Sequence, residues 1–323
     1  MERFTSVDVC SGAGGLALGL EQAGFDPVLL LDKNKQACET LRRNRPSWTV
    51  LDVDLLDFDP VDHQESYDVD LLSAGLPRVK SSATTKRVET GQELRLLKAT
   101  IYLAHAIRPR ALLIENVPDL VDGAAFEEVR DFVRGELVHL DYGFHWFIVN
   151  AADYGVPQDR RQGVLVALEE PFAGRFRAPE ATVDDHVTVG EALRASMSER
   201  GWTGAEEWAR QANRVAPTLV GGSENRGGAD LGPSGTKKAW ARMGVNAASL
   251  SNEVPGPDGT QESDNSGSPL KKITVEQAAL LQSFPKDWEI TGKKTGRYRQ
   301  IGHASPPPVG EALGRAIAHA LRH

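Results

Sequence analysis

Along the first 170 residues, short apolar runs alternate with segments whose apolar residues recur at helical spacing. The runs "FTSVDVC", "PVLLLD", "DVDLLSAG", "ALLIENV" and "QGVLVALE" have strand length, while "LALGLEQAG" and "KQACETLRRN" have the period of helices. This alternation predicts parallel strands joined by crossover helices, an α/β chain with a doubly wound, Rossmann-like sheet. Ligands of such sheets bind beyond the carboxyl ends of the strands. From about residue 171 to 272 the pattern fades into glycine, proline and polar residues, most clearly in "VGGSENRGGADLGPSG" and "SNEVPGPDGTQESDNSGSP". Helical spacing returns in "TVEQAALLQSF" and "VGEALGRAIAHALRH". Three parts are therefore expected: a large domain over 1–170, a smaller lobe over 171–272 with a flexible loop at 251–272, and a C-terminal segment over 273–323. No internal repeat is present.

Composition narrows the class. The chain has 323 residues, 40% hydrophobic and 25% charged, enough to bury one large core and an appended lobe. It lacks an apolar run of about 18 residues and a basic-then-apolar N-terminal stretch, which points to a cytoplasmic protein with no membrane partner. Cys10 and Cys38 are too few for a disulfide framework and lack the spacing of a metal site, so no metal is expected. A net charge of −8 argues against coating nucleic acid by bulk electrostatics and leaves a local basic cleft open. Lysines and arginines between Lys271 and Arg299 form either such a phosphate-facing wall or a solvated face.

The stretch "VDVCSGAGGLALGLEQAG" reads as strand, small-residue turn and helix. Gly12, Ala13, Gly14 and Gly15 let a ligand lie against the turn and the helix N-terminus. Taken alone, such a turn is also compatible with a plain strand-to-helix connection or with a nucleotide site of any kind. Asp32 ends the next strand about 20 residues on, where a carboxylate can accept from two ribose hydroxyls. Together they suggest an adenosine-bearing cofactor, and the lack of a P-loop lysine disfavours a nucleoside triphosphate. Asp54 is either an acceptor for an adenine amino group or a simple exposed acid.

The ordered set "DVCSGAGGLALGLEQAGF", "LLIENV", "YGVPQDRRQ", "LLQSFPKDW" and "RYRQIGHASPPPV" resembles the DNA cytosine-5 methyltransferases over nearly the whole chain. The resemblance implies S-adenosylmethionine as cofactor, double-stranded DNA as partner, a DNA-recognition lobe in the variable region, and a last helix that packs back on the first domain. It places Pro77, His303 and Ser305 at the cofactor, and Glu115 and Arg160 at the base. Gln158, Arg161, Arg226, Lys237 and Lys238 fall in the DNA-facing parts. In "QDRRQ" the family's second arginine is Gln162, and His303 stands where the family usually has asparagine.

The family's catalytic Pro-Cys reads Pro77-Arg78 here. In the family the thiolate adds to carbon 6 of cytosine while a glutamate, matched by Glu115, hydrogen-bonds ring nitrogen 3, which makes carbon 5 nucleophilic. Arg78 cannot take that role, because a guanidinium stays protonated and offers no lone pair. Three readings stay open. The protein binds cofactor and DNA without methylating carbon 5, as a regulatory or partner subunit; or it methylates an exocyclic amino group, which needs no covalent activation; or Arg78 is an introduced change in an ordinary enzyme. The aspartate- or asparagine-Pro-Pro-aromatic stretch of amino methyltransferases is missing. Cys10 and Cys38 read as small packing residues, Trp240 as core of the lobe, His303 equally as a turn residue, and "SPPPV" as the lead-in to the last helix.

Overall fold

A computed structural model describes residues 3–79, 91–222, 228–261 and 269–322. In chain order the elements are β1 (Phe4–Val9), α1 (Gly15–Ala23), β2 (Phe25–Leu31), α2 (Lys35–Asn44), β3 (Val50–Leu51), β4 (Leu71–Gly75), α3 (Gln92–Ile107), β5 (Ala111–Asn116), α4 (Asp119–Asp122), α5 (Glu127–His139), β6 (Tyr142–Asn150), β7 (Gln158–Asp159) and β8 (Arg161–Glu169). There follow α6 (Val189–Met197), α7 (Ala205–Gln211), β9 (Ala216–Pro217), α8 (Ser234–Arg242), α9 (Val275–Leu281), α10 (Lys294–His303) and α11 (Pro307–Arg322). The chain forms two compact units, one of residues 1–149, 161–180 and 309–323, the other of 150–160 and 181–308.

The first unit carries a seven-stranded sheet in the order β3-β2-β1-β4-β5-β8-β6. The ladders β1·β2, β1·β4, β2·β3 and β4·β5 are parallel. β4 and β5 read as continuous apolar runs because helices cover both faces. Leu72, Leu112 and Ile114 of these strands share one core with Leu97 and Ile101 of α3 and Val133 and Leu137 of α5. "QGVLVALE" forms a strand, as expected, but β8 runs antiparallel to β5, which makes the sheet mixed. The sequence pattern did not disclose β6. Its side chains are half-buried along most of its length, as suits an edge strand, so "YGFHWFIVN" shows no two-residue contrast.

α11 lies backbone-close to α1. A Cβ at Gly310 would stand 2.9 Å from the Leu16 carbonyl oxygen, and one at Gly314 would stand 2.6 Å from the Ala23 Cβ. Glycine at these positions is what lets the last helix seat against α1.

In the second unit, β7 and β9 form a short parallel ladder, Gln158 opposite Ala216. α6 and α9 each begin with a capping box, Thr188 with Glu191 and Thr274 with Gln277. Trp240 is fully buried in this unit's core, as its sequence setting suggested. The division differs from the expected breaks at 170 and 272: residues 273–308 belong to the second unit, and only 309–323 return to the first. The physical reason is a set of buried ties, since Gln282 Nε2 donates to the Ile301 and Ala304 carbonyls and Gln158 Nε2 donates to the Leu281 carbonyl. The expected loop at 251–272 is structured over 251–261, where Gln261 donates to the Glu253 and Lys272 carbonyls and Asp258 accepts from Thr260. Residues 262–268, like Arg226, lie outside the described residues.

Candidate cofactor and base site

β1 ends in a turn that only small residues allow. Gly12 and Gly14 have φ of 54° and 83°, and Gly14 precedes the first turn of α1. No side chain caps α1 and no acid lies in its first turn, so its leading N–H groups could receive an anionic ligand. A Cβ built at Gly12 would meet nothing within 4 Å, so there is open space above the turn. Asp32, at the end of β2, braces this turn: its carboxylate accepts from the Gly12 N–H at 2.8 Å and the Asn34 N–H at 2.7 Å. Burial raises its pKa, opposed by those two hydrogen bonds. Asp54 accepts from the Leu56 N–H at 3.1 Å and stands 3.6 Å from the Lys33 ammonium, so it caps a short helical turn as well as facing outward. The uncapped amides, the open space and the carboxylate fit an adenosine-bearing ligand with a carboxylate tail; Gly12 to Gly15 and Asp32 would hold it.

Sequence reading missed Asp8, one strand position from the turn. It is fully buried on β1 opposite Ser73 of β4, and the Ser73 hydroxyl donates to its carboxyl. Burial pushes Asp8 up to about 6, against the lowering effect of the Ser73 and Ser11 hydroxyls. The available signal was a charged residue inside an apolar strand, "VDV".

After β4 the chain runs on through Leu76, Pro77, Arg78 and Val79 without regular structure. Pro77 and Arg78 are exposed, whereas Val79 is buried in the core. Asn116 fastens this segment from β5, a second residue that sequence reading passed over: its Oδ1 accepts from the Val79 N–H at 3.0 Å and its Nδ2 donates to the Pro77 carbonyl at 3.3 Å. Glu115 precedes it on β5 and is buried. The register sets Glu115 opposite Val164, so Gln162 lies diagonally across on the same face, about 7–8 Å away between Cα atoms, and it too is buried.

Neither thiol has the character of a nucleophile. Burial first, then the Asp32 and Asp8 carboxylates, push the Cys10 thiol far above its ordinary range. Burial, then Asp52, push Cys38 up to about 12, and its Sγ donates to the Asp32 carbonyl. Both stay protonated at neutral pH.

Several of the expected site residues make internal hydrogen bonds. Arg160, expected at the base, is buried in the second unit, and its Nη1 donates to the Leu219 and Gly302 carbonyls at 3.1 Å each. Gln158, expected at DNA, is fully buried; its Oε1 accepts from the Leu219 N–H, and its amide donates to Gln282. Both stabilise the segment that leads into Gly221 and Gly222. His303 is exposed at the end of α10, and its ring would stand 3.1 Å from a Cβ at Gly221; Ser305 is buried just beyond. Arg161 and Lys238 are exposed, and Lys237 pairs with Asp230 at 3.1 Å.

An open mixed sheet with covering helices, as here, is the fold of S-adenosylmethionine-dependent DNA methyltransferases. The chain belongs to the C-5 cytosine-specific DNA methylase family, whose model matches residues 4–319; the methyl donor of that family is S-adenosylmethionine. It is 42% identical to the Type II methyltransferase M.NaeI of Lentzea aerocolonigenes, over 99% of this chain and 76% of that one. It is 39% identical to M.NgoMIV of Neisseria gonorrhoeae, over 99% of both. Among solved structures, the S. pombe Dnmt2 methyltransferase superposes with a TM-score of 0.64 at 17% identity, covering 99% of this chain and 100% of that one. No helix among the described residues is long and apolar enough to cross a membrane.

Proposed function

We propose that this protein is a cytosine-5 DNA methyltransferase homologue that binds S-adenosylmethionine and double-stranded DNA but does not methylate carbon 5 by the thiolate route, and that it serves as a regulatory or partner subunit. The observation that carries this reading is the Asn116 clamp on the segment after β4. Asn116 holds the Pro77 carbonyl and the Val79 N–H, so residue 78 has the fixed position a nucleophile needs, and the side chain mounted there is a guanidinium. Activation of carbon 5 requires a group that adds to carbon 6, and Arg78 has no lone pair with which to do so. Both cysteines lie elsewhere with thiols held protonated. The neutral Gln162 on the face of Glu115, where the family has arginine, further weakens the base pocket, while the cofactor turn keeps its glycines and its acid.

Calorimetry with S-adenosylmethionine tests the first half, with binding expected. Incubation with tritiated cofactor and mixed-sequence duplex DNA, followed by digestion to nucleosides, tests the second, with no labelled nucleoside expected. Label on 5-methylcytosine contradicts the reading of Arg78. Label on N6-methyladenine or N4-methylcytosine replaces the silent-binder reading with amino-group methylation.

A further inference from the structure

We propose that Arg78 is a rigidly mounted contact for a phosphodiester of the DNA backbone, set in the segment where the family keeps its thiol. This rests on the DNA-binding reading above and goes beyond it by assigning the residue a ligand.

The mounting comes first. Residue 78 is held on both sides within a single residue: Pro77 by its carbonyl and Val79 by its N–H, both to Asn116. Asn116 is itself buried, and its Oδ1 also accepts from the Val117 N–H at 2.9 Å. Val79 is sunk in the core of the first unit. The root of the arginine is thus fixed, which reduces the entropy lost when its side chain grips a ligand.

The exposed end is available. Among the described residues Arg78 makes no ion pair or hydrogen bond, although Asp32, Asp54 and Glu115 lie in the same unit. Arg42, Arg45 and Arg110 of that unit are each paired with a carboxylate. A guanidinium without an internal carboxylate, permanently charged and carrying donors in a planar fork, matches the two free oxygens of a phosphodiester.

The other anionic and polar partners fit less well. A cofactor carboxylate already has the uncapped amides of α1. A flipped base is read inside a snug pocket, whereas the Arg78 side chain is exposed just beyond β4. A phosphate contact requires only one well-placed cation at the surface.

The test is the salt dependence of duplex binding, measured by fluorescence anisotropy on several unrelated unmethylated duplexes with the wild-type chain, Arg78→Ala, Arg78→Gln and Arg78→Lys. Loss of one phosphate contact lowers the slope of log K against log salt by about 0.9, which is roughly a three-fold smaller change in affinity between 50 and 200 mM salt. The expected result is that slope change in Arg78→Ala and Arg78→Gln, equal on every duplex, with the slope kept in Arg78→Lys and cofactor affinity unchanged in all. An unaltered slope in Arg78→Ala overturns the assignment. So does a loss confined to one sequence, which would mark a base contact, or a loss of cofactor affinity with an unaltered slope, which would mark a cofactor contact. A wild-type chain that binds no duplex at all overturns the DNA-binding reading itself, an outcome distinct from wild-type-like behaviour of the variants.

Discussion

Two side chains in the first unit place charge where the fold gives it opposite treatment. Arg78 is exposed, whereas Asp8 is buried between β1 and β4 and is pushed up to about 6. Since the ordinary value is 3.8, the folded protein holds the Asp8 proton more tightly than the unfolded chain does. That contribution to stability is full below the unfolded value and is lost as pH rises through about 6. The difference amounts to about 3 kcal/mol at neutral pH. Asp8→Asn, which cannot ionise, is therefore expected to gain stability relative to wild type between pH 4 and 7, measured as the gap between their melting temperatures; a constant gap contradicts the burial argument. At position 78, Arg78→Cys restores a thiol on the clamped segment but leaves Gln162 beside Glu115. We expect the double variant Arg78→Cys, Gln162→Arg to exceed Arg78→Cys in 5-methylcytosine formation, read by labelled nucleoside digestion; equal yields would show that Gln162 has no part in the pocket.

Elements follow the sequence where periodicity is strong and depart from it where tertiary contacts decide. The strands β1, β2, β4 and β5 announce themselves as apolar runs because both faces of a covered sheet are buried. The direction of β8 is not written in "QGVLVALE", since an apolar run looks alike in either direction, and β6 is hidden by its half-buried edge position. The seat of α11 on α1 is legible only through its glycines. Gly310→Val places branched carbons against the Leu16 backbone, which cannot move aside as a side chain can. We expect it to cost about 1–3 kcal/mol in chemical denaturation and to weaken S-adenosylmethionine binding in calorimetry, because α1 carries the amides proposed to hold the ligand. A smaller stability loss with intact cofactor affinity would mean that α11 does not set the position of α1.

For the molecule as a whole, the candidate site was legible in part. The glycine turn and Asp32 stand in the sequence at a spacing fixed by the geometry of a strand-helix-strand unit, and Glu115 was named through its motif. The Asn116 clamp was not legible, because hydrogen bonds between a strand end and a segment 37 residues away leave no local pattern. At Gln158, which the family motif places at DNA, and Arg160, which it places at the base, the structure shows hydrogen bonds within the second unit that the sequence did not disclose. Nor does the loop-rich composition after residue 171 reveal that 273–308 groups with the second unit, where Gln282 donates to the Ile301 carbonyl.

The central claim is that no group in this chain adds to cytosine carbon 6. Duplexes of randomised sequence carrying 5-fluorocytosine test it directly, because fluorine at carbon 5 cannot leave as a proton and any adduct formed during methyl transfer stays attached. After incubation with S-adenosylmethionine, intact mass spectrometry should find only the unmodified protein. A species heavier by the mass of one oligonucleotide strand and the transferred methyl group, from the wild-type chain, would contradict the account.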